Sequence, residues 1–190
     1  TARTLPKIKS MHIHQLNVSH NDRQDRLLLR VNTQSAEEFR FWLTRRLTLR
    51  LMPVLQQTVG RMESSTPQMV APDPASQQIL TDLKRDAFMQ KADFKTAYVE
   101  QVQQRPLGEE PMLVTDVQLQ LQGTAVLLTL QDKGAVAGQT QSCQLNLQAS
   151  LVHGLIHLIG QAMDKAGWQA PDATPEPMAP IEVPATGYRH

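Results

Sequence analysis

The chain has 190 residues, 41% of them hydrophobic, and 19 Lys+Arg against 18 Asp+Glu leave a formal net charge of +1. That apolar content excludes a wholly disordered chain, and near-neutrality excludes a histone-like polycation while leaving room for a local basic patch. A single cysteine excludes an intramolecular disulfide framework and a thiolate metal cluster, and no apolar run reaches the roughly 20 residues that span a bilayer.

Residues 1–10 (TARTLPKIKS) lack the apolar segment of a secretory signal. They read as a flexible leader, with Met11 a candidate start, and a cytoplasmic location is expected. From Met11 the pattern turns strand-like: Met11 and Ile13 alternate with His12 and His14. The phase then slips by one, and Leu16 and Val18 alternate with Asn17, as a β-bulge would produce. The polar run from His20 to Asp25 is a turn. Leu27, Leu29 and Val31 then line one face of a second strand, with Leu28, Arg30 and Asn32 on the other, so residues 11–33 form a hairpin.

Ser35 and Glu38 match a capping box and predict a long helix over 35–62. Its core stripe is Phe39, Leu43, Leu47, Leu51, Val54 or Leu55, and Met62. Pro53 kinks it. Phe41, Trp42, Leu49 and Met52 add apolar surface on its other sides, so a sheet and a second helix or subunit are expected to cover it. Residues 63–73 form a linker, and Asp73-Pro74 opens a second helix over 74–91. Residues 92–110 carry no decisive pattern.

The clearest β signal follows. Val117, Leu119 and Leu121, then Val126, Leu128 and Leu130, then Cys143, Leu145 and Leu147 alternate with polar residues in a three-stranded meander over 112–148. Ser150 caps a last helix over 150–168, with Leu151, Val152, Leu155, Leu158, Ile159 and Met163 on its buried face. The Pro-rich tail 169–190 is expected to be disordered. Both halves run from strands to a capped helix, without enough residue identity to claim a repeat. The predicted class is α+β: two layers, an antiparallel sheet of about five strands with two to three helices packed on it, in one domain over 11–168.

Catalytic signals are weak. His153 and His157 stand four apart on the last helix and could hold a metal only with a third ligand such as His12 or His14. The simpler reading is two surface histidines, with no metal site and no cofactor. Glu37 and Glu38 suit a helix start, Asp22 and Asp25 suit a hairpin turn, and Glu109 and Glu110 precede Pro111 in a polar loop. Cys143 reads as a small core residue. No phosphate-binding glycine loop is present.

Arg40, Arg45, Arg46 and Arg50, interleaved with Phe41 and Trp42, are the feature that stands out. Three fates are open to them: structural bridges to Asp25 or Asp116, a groove for an anionic ligand or nucleic acid with Trp42 as a stacking platform, or a protein interface. Gln118, Gln120, Gln122, Gln144, Asn146 and Gln148 would form a neutral sheet face, a poor phosphate binder and an inexpensive docking surface. The expected function is a non-enzymatic protein-interaction module, an adaptor, regulator or accessory subunit. It would self-associate through the first helix or a sheet edge. The alternative is a nucleic-acid-binding module using Trp42, Arg45, Arg46 and Arg50. No membrane partner is expected.

Overall fold

Period-two alternation fixes the first sheet. Leu27, Leu29 and Val31 of one strand are fully or nearly fully buried, and so are Phe39, Phe41 and Leu43 of the next. The computed structural model describes residues 13–64, 73–76, 79, 83, 98, 102–134 and 140–168. Strands β1 (Ile13–Asn21), β2 (Arg26–Thr33) and β3 (Glu38–Thr44) form an antiparallel meander, and β4 (Met112–Leu113) joins β3 in parallel. The phase slip near His14 is real: the β1–β2 register shifts between Ile13 and Gln15.

The long helix over 35–62 is corrected. Its first part is β3, and α1 spans only Arg45–Ser64, taking in Glu63 and Ser64 of the expected linker. Residues 39–55 satisfy a helical stripe and a strand alternation at once. Phe41 and Trp42 side by side favour the strand, because aromatic side chains fit a pleated surface. The capping box is corrected as well. Ala36 takes a left-handed φ of 57°, Glu37 N–H donates to Thr33 Oγ1 at 3.2 Å, and a tight β2–β3 turn replaces the helix start. Thr44 is the residue that caps α1, its Oγ1 accepting from Leu47 N–H at 3.3 Å. The expectation that the helix is apolar all round lapses with this, since Phe41 and Trp42 lie on opposite faces of β3.

The second sheet orders β5 (Asp116–Gln122), β6 (Ala125–Asp132) and β7 (Gln141–Gln148). Gly123, at φ 60°, makes the β5–β6 turn. One segment stitches the sheets together. Val114 N–H donates to Trp42 O at 3.0 Å and Thr115 N–H to Gln131 O at 2.8 Å, so successive amides bond neighbours on opposite sides. Hydrogen bonding therefore runs from β1 through to β7. The α+β class holds, with the strands divided between a four-stranded and a three-stranded sheet.

Helix α2 (Ala149–Ala166) packs on α1 and on β1. It starts one residue before Ser150, and Gln148 in the cap position makes no side-chain bond, so the expected Ser150 cap is corrected. Gly167 closes the helix in the left-handed region at φ 65°. Asp73 does cap a helix start as read: its carboxylate accepts from Ser76 N–H at 2.9 Å, and residues 74–76 are helical. Most of that helix, the leader 1–10, Met11, His12 and the tail 169–190 lie outside the described residues. No described helix is long and apolar enough to cross a membrane.

Among the described residues one order occurs twice: three antiparallel strands running directly into a helix. Across β2 and β3, Leu27 faces Leu43, Leu29 faces Phe41 and Val31 faces Phe39. Across β6 and β7, Val126 faces Leu147, Leu128 faces Leu145 and Leu130 faces Cys143. The helices continue the match. Thr48, Leu51 and Leu55 follow Leu43 at the same spacing as Val152, Leu155 and Ile159 follow Leu147, and all six are buried. Thr48 is tolerated there because its hydroxyl donates to Thr44 O at 2.9 Å. Both units feed one core.

Candidate functional site

The arginines part company. Arg40 lies on the outer face of β3, where Glu38 is 4% exposed. Arg40 Nε stands 3.7 Å from Glu38 Oε1, and its guanidinium donates to the Glu109 carbonyl. Arg105 Nε reaches Glu38 Oε1 at 3.4 Å, and the Tyr98 hydroxyl donates to Glu38 Oε2 at 2.9 Å. Arg30 sits 4.2 Å over the Tyr98 ring and donates to Asn17 Oδ1 at 3.0 Å. Arg40 is thus taken up in a structural network that fastens Tyr98 and the 102–110 segment onto the sheet. Trp42 is partly buried on the same outer face of β3.

Arg45, Arg46 and Arg50 are exposed on the first turns of α1 and, with Leu49, line a shallow open depression. Neither Asp25 nor Asp116 bridges to them. Asp116 pairs with Lys133 at 2.6 Å, and Asp25 accepts from Trp168 Nε1 at 2.7 Å. Strand pairing adds two more cations that the sequence reading missed. Arg26 faces Thr44 across the β2–β3 ladder, immediately before Arg45, and Arg23 is exposed in the hairpin turn that leads to it. Once the hairpin is accepted, the pairing of Arg26 with the end of β3 was the available signal. Among the described residues none of these five arginines makes an ion pair with a carboxylate.

The matching corner of the second unit carries no such charges. In the second unit the pair that matches Arg26 and Thr44 is Ala125 and Gln148. The helix positions that match Arg45, Arg46 and Arg50 are Ala149, Ser150 and Gly154. In addition α1 has no acidic residue in its first turn, so Arg45 and Arg46 place positive charge at the positive end of the helix dipole. The cluster thus opposes its own helix dipole and is absent from the matching corner.

Beside it, His20 is wedged under the hairpin tip. Its ring nitrogens lie 2.8 Å from Asp22 and 3.3 Å from Asp25, and its ring meets Trp168 edge-on at 5.5 Å. His153 is corrected from a surface residue to a buried one, 5% exposed, with Nε2 2.8 Å from Glu63 at the end of α1. The packing of α2 against α1 turns it inward. Burial lowers the pKa of His157. Among the described residues no three His, Cys, Asp or Glu side chains gather as a metal-binding group. Cys143 is fully buried, and burial pushes its thiol up to about 12. Gln118, Gln120, Gln122, Gln144, Asn146 and Gln148 are all exposed on one face of the second sheet.

No protein-family model, curated protein or solved structure matches the chain.

Proposed function

We propose that the chain is a non-enzymatic interaction module of the cytoplasm, an adaptor, regulator or accessory subunit. In this reading it docks an acidic protein surface on the corner formed by Arg23, Arg26, Arg45, Arg46 and Arg50. The observation that carries this reading is that five arginines, which form no carboxylate ion pair among the described residues, occupy positions which the matching unit fills with neutral residues or leaves uncharged. Guanidinium groups suit the role because their planar fork takes a carboxylate in two hydrogen bonds. Leu49, which lines the depression with them, offers apolar contact beside the charges. A protein is favoured over nucleic acid because, among the described residues, no aromatic side chain lines the depression to stack a base.

Fluorescence anisotropy with a labelled oligoglutamate peptide and a labelled oligothymidylate of equal charge tests the reading. The peptide is expected to bind more tightly, and R46E/R50E to weaken it by at least about tenfold. Equal binding by the variant overturns the docking corner, and tighter binding of oligothymidylate with a steep salt dependence moves the assignment to nucleic acid.

A further inference from the structure

We infer that β7 pairs edge to edge, antiparallel, with β7 of a second copy of this chain across a two-fold axis. The hydrogen-bonded path from β1 to β7 leaves these two as its outer strands. They are not equivalent. The ladder of β1 is broken by the register shift at Ile13/Gln15, and α2 packs more extensively against β1 than against β7. The β7 ladder to β6 runs through all eight residues without a shift. On the other side of β7, among the described residues, no strand is paired.

The sequence of β7, QSCQLNLQ, has no charged residue, proline or glycine. Natural edge strands carry lysine, proline, a bulge or a short length, because a bare row of N–H and C=O groups is a template for another strand. Here every such device is missing along a strand of full length. Strand β5 is guarded differently. The Asp116–Lys133 ion pair stands at its start, and α1, which follows β3 in the chain, lies against it.

A second β7 fits this edge on chemical grounds. Pairing neutral with neutral brings no like charges together across the axis. Alternation keeps the faces matched: Cys143, Leu145 and Leu147 continue the core side, while Gln144, Asn146 and Gln148 meet amides that both donate and accept. A two-fold axis makes the contact self-complementary and closed. The acidic partner proposed for the arginine corner has no comparable match to a neutral edge, so the two surfaces are independent and each can fail alone.

Sedimentation equilibrium of the full chain over a range of concentrations tests the inference, with Q144K/N146K compared to Q118K/Q120K, which adds the same charge to the exposed face of β5. A dimer is expected for the wild type and for Q118K/Q120K. Q144K/N146K is expected to dissociate at least about tenfold more readily, with an unchanged circular dichroism spectrum. Hydrogen exchange of the wild type supplies a readout that needs no variant: protection of β7 amides is expected to rise with protein concentration. A wild type that stays monomeric, a Q144K/N146K protein that dimerises as well as the wild type, or β7 exchange independent of concentration overturns the pairing.

Discussion

Trp168 donates its indole N–H to the Asp25 carboxylate at 2.7 Å, fastening the end of α2 to the tip of the β1–β2 hairpin beside the arginine corner. Trp168 is 3% exposed and anchors the loop that carries Arg23 and Arg26.

That hydrogen bond, followed by the His20 contact and the charge of Arg45, holds the Asp25 carboxyl below its ordinary 3.8. A carboxyl lowered in the folded state contributes stability that is fully present above its unfolded pKa and is lost as pH falls through the folded value. Thermal unfolding at about pH 6 and about pH 3 should therefore separate the wild type from W168F. The variant is expected to start lower at the higher pH and to lose less on acidification. Parallel losses in both proteins would remove the Trp168–Asp25 bond from the account.

Tyr98 predicts the opposite end of the pH scale. Burial, then its hydrogen bond to Glu38, hold the phenol protonated well above its ordinary 10.0. A phenol raised in the folded state contributes stability that is present below the unfolded pKa and is lost as pH rises above it. Denaturant unfolding should show a loss of stability beginning above pH 10 that Y98F lacks. At neutral pH, Y98F is expected to cost about 1–3 kcal/mol, since it leaves Glu38 short of a donor. E38A is expected to cost about 3 kcal/mol, the low end for a broken buried pair, because Arg105 remains 35% exposed. An E38A protein as stable as the wild type would contradict the network.

Cys143 reports on the second unit. With the thiol fully buried and pushed up to about 12, iodoacetamide at neutral pH should leave the native protein unlabelled and modify it only on unfolding. Rapid labelling of the native state would show that β7 opens to solvent.

The matched units make a paired prediction. Leu55→Ala and Ile159→Ala remove equivalent core residues, both at 0% exposure, and each should cost about 2–5 kcal/mol. The arginine corner should behave oppositely. R46E puts acid in the first turn of α1, at a residue whose charge does not act on Asp25, and is expected to raise stability by about 0.3–1 kcal/mol. A destabilised R46E protein would mean that the fold itself needs that charge.

Strand alternation was legible wherever one face is apolar and the other polar, which is why the hairpin over 11–33, the bulge near His14 and the three strands of the second sheet could be read directly, whereas Met112–Leu113, expected in that meander, pairs in parallel with β3. Residues 35–44 could not, because Phe39 and Leu43 serve a helical stripe and a strand face equally well. Only the pairing of β3 with β2 breaks the tie, and that is a long-range event. The same error spread to the site. It put Arg40 and Trp42 on one helix with Arg46 and Arg50, whereas the strand turns Arg40 toward Glu38 and away from the corner. Arg26 was missed because its neighbour in space, Thr44, is remote in sequence. The network around Glu38 was hidden for a related reason: Tyr98 and Arg105 lie in a stretch whose pattern is irregular, and their partners are on the sheet.

Affinity capture from native lysate tests the central claim most directly, with the wild-type chain and R46E/R50E run side by side after nuclease treatment. The account predicts a protein retained by the wild type after nuclease and lost with the variant. Recovery of the same proteins by both, or loss of everything after nuclease, would contradict it.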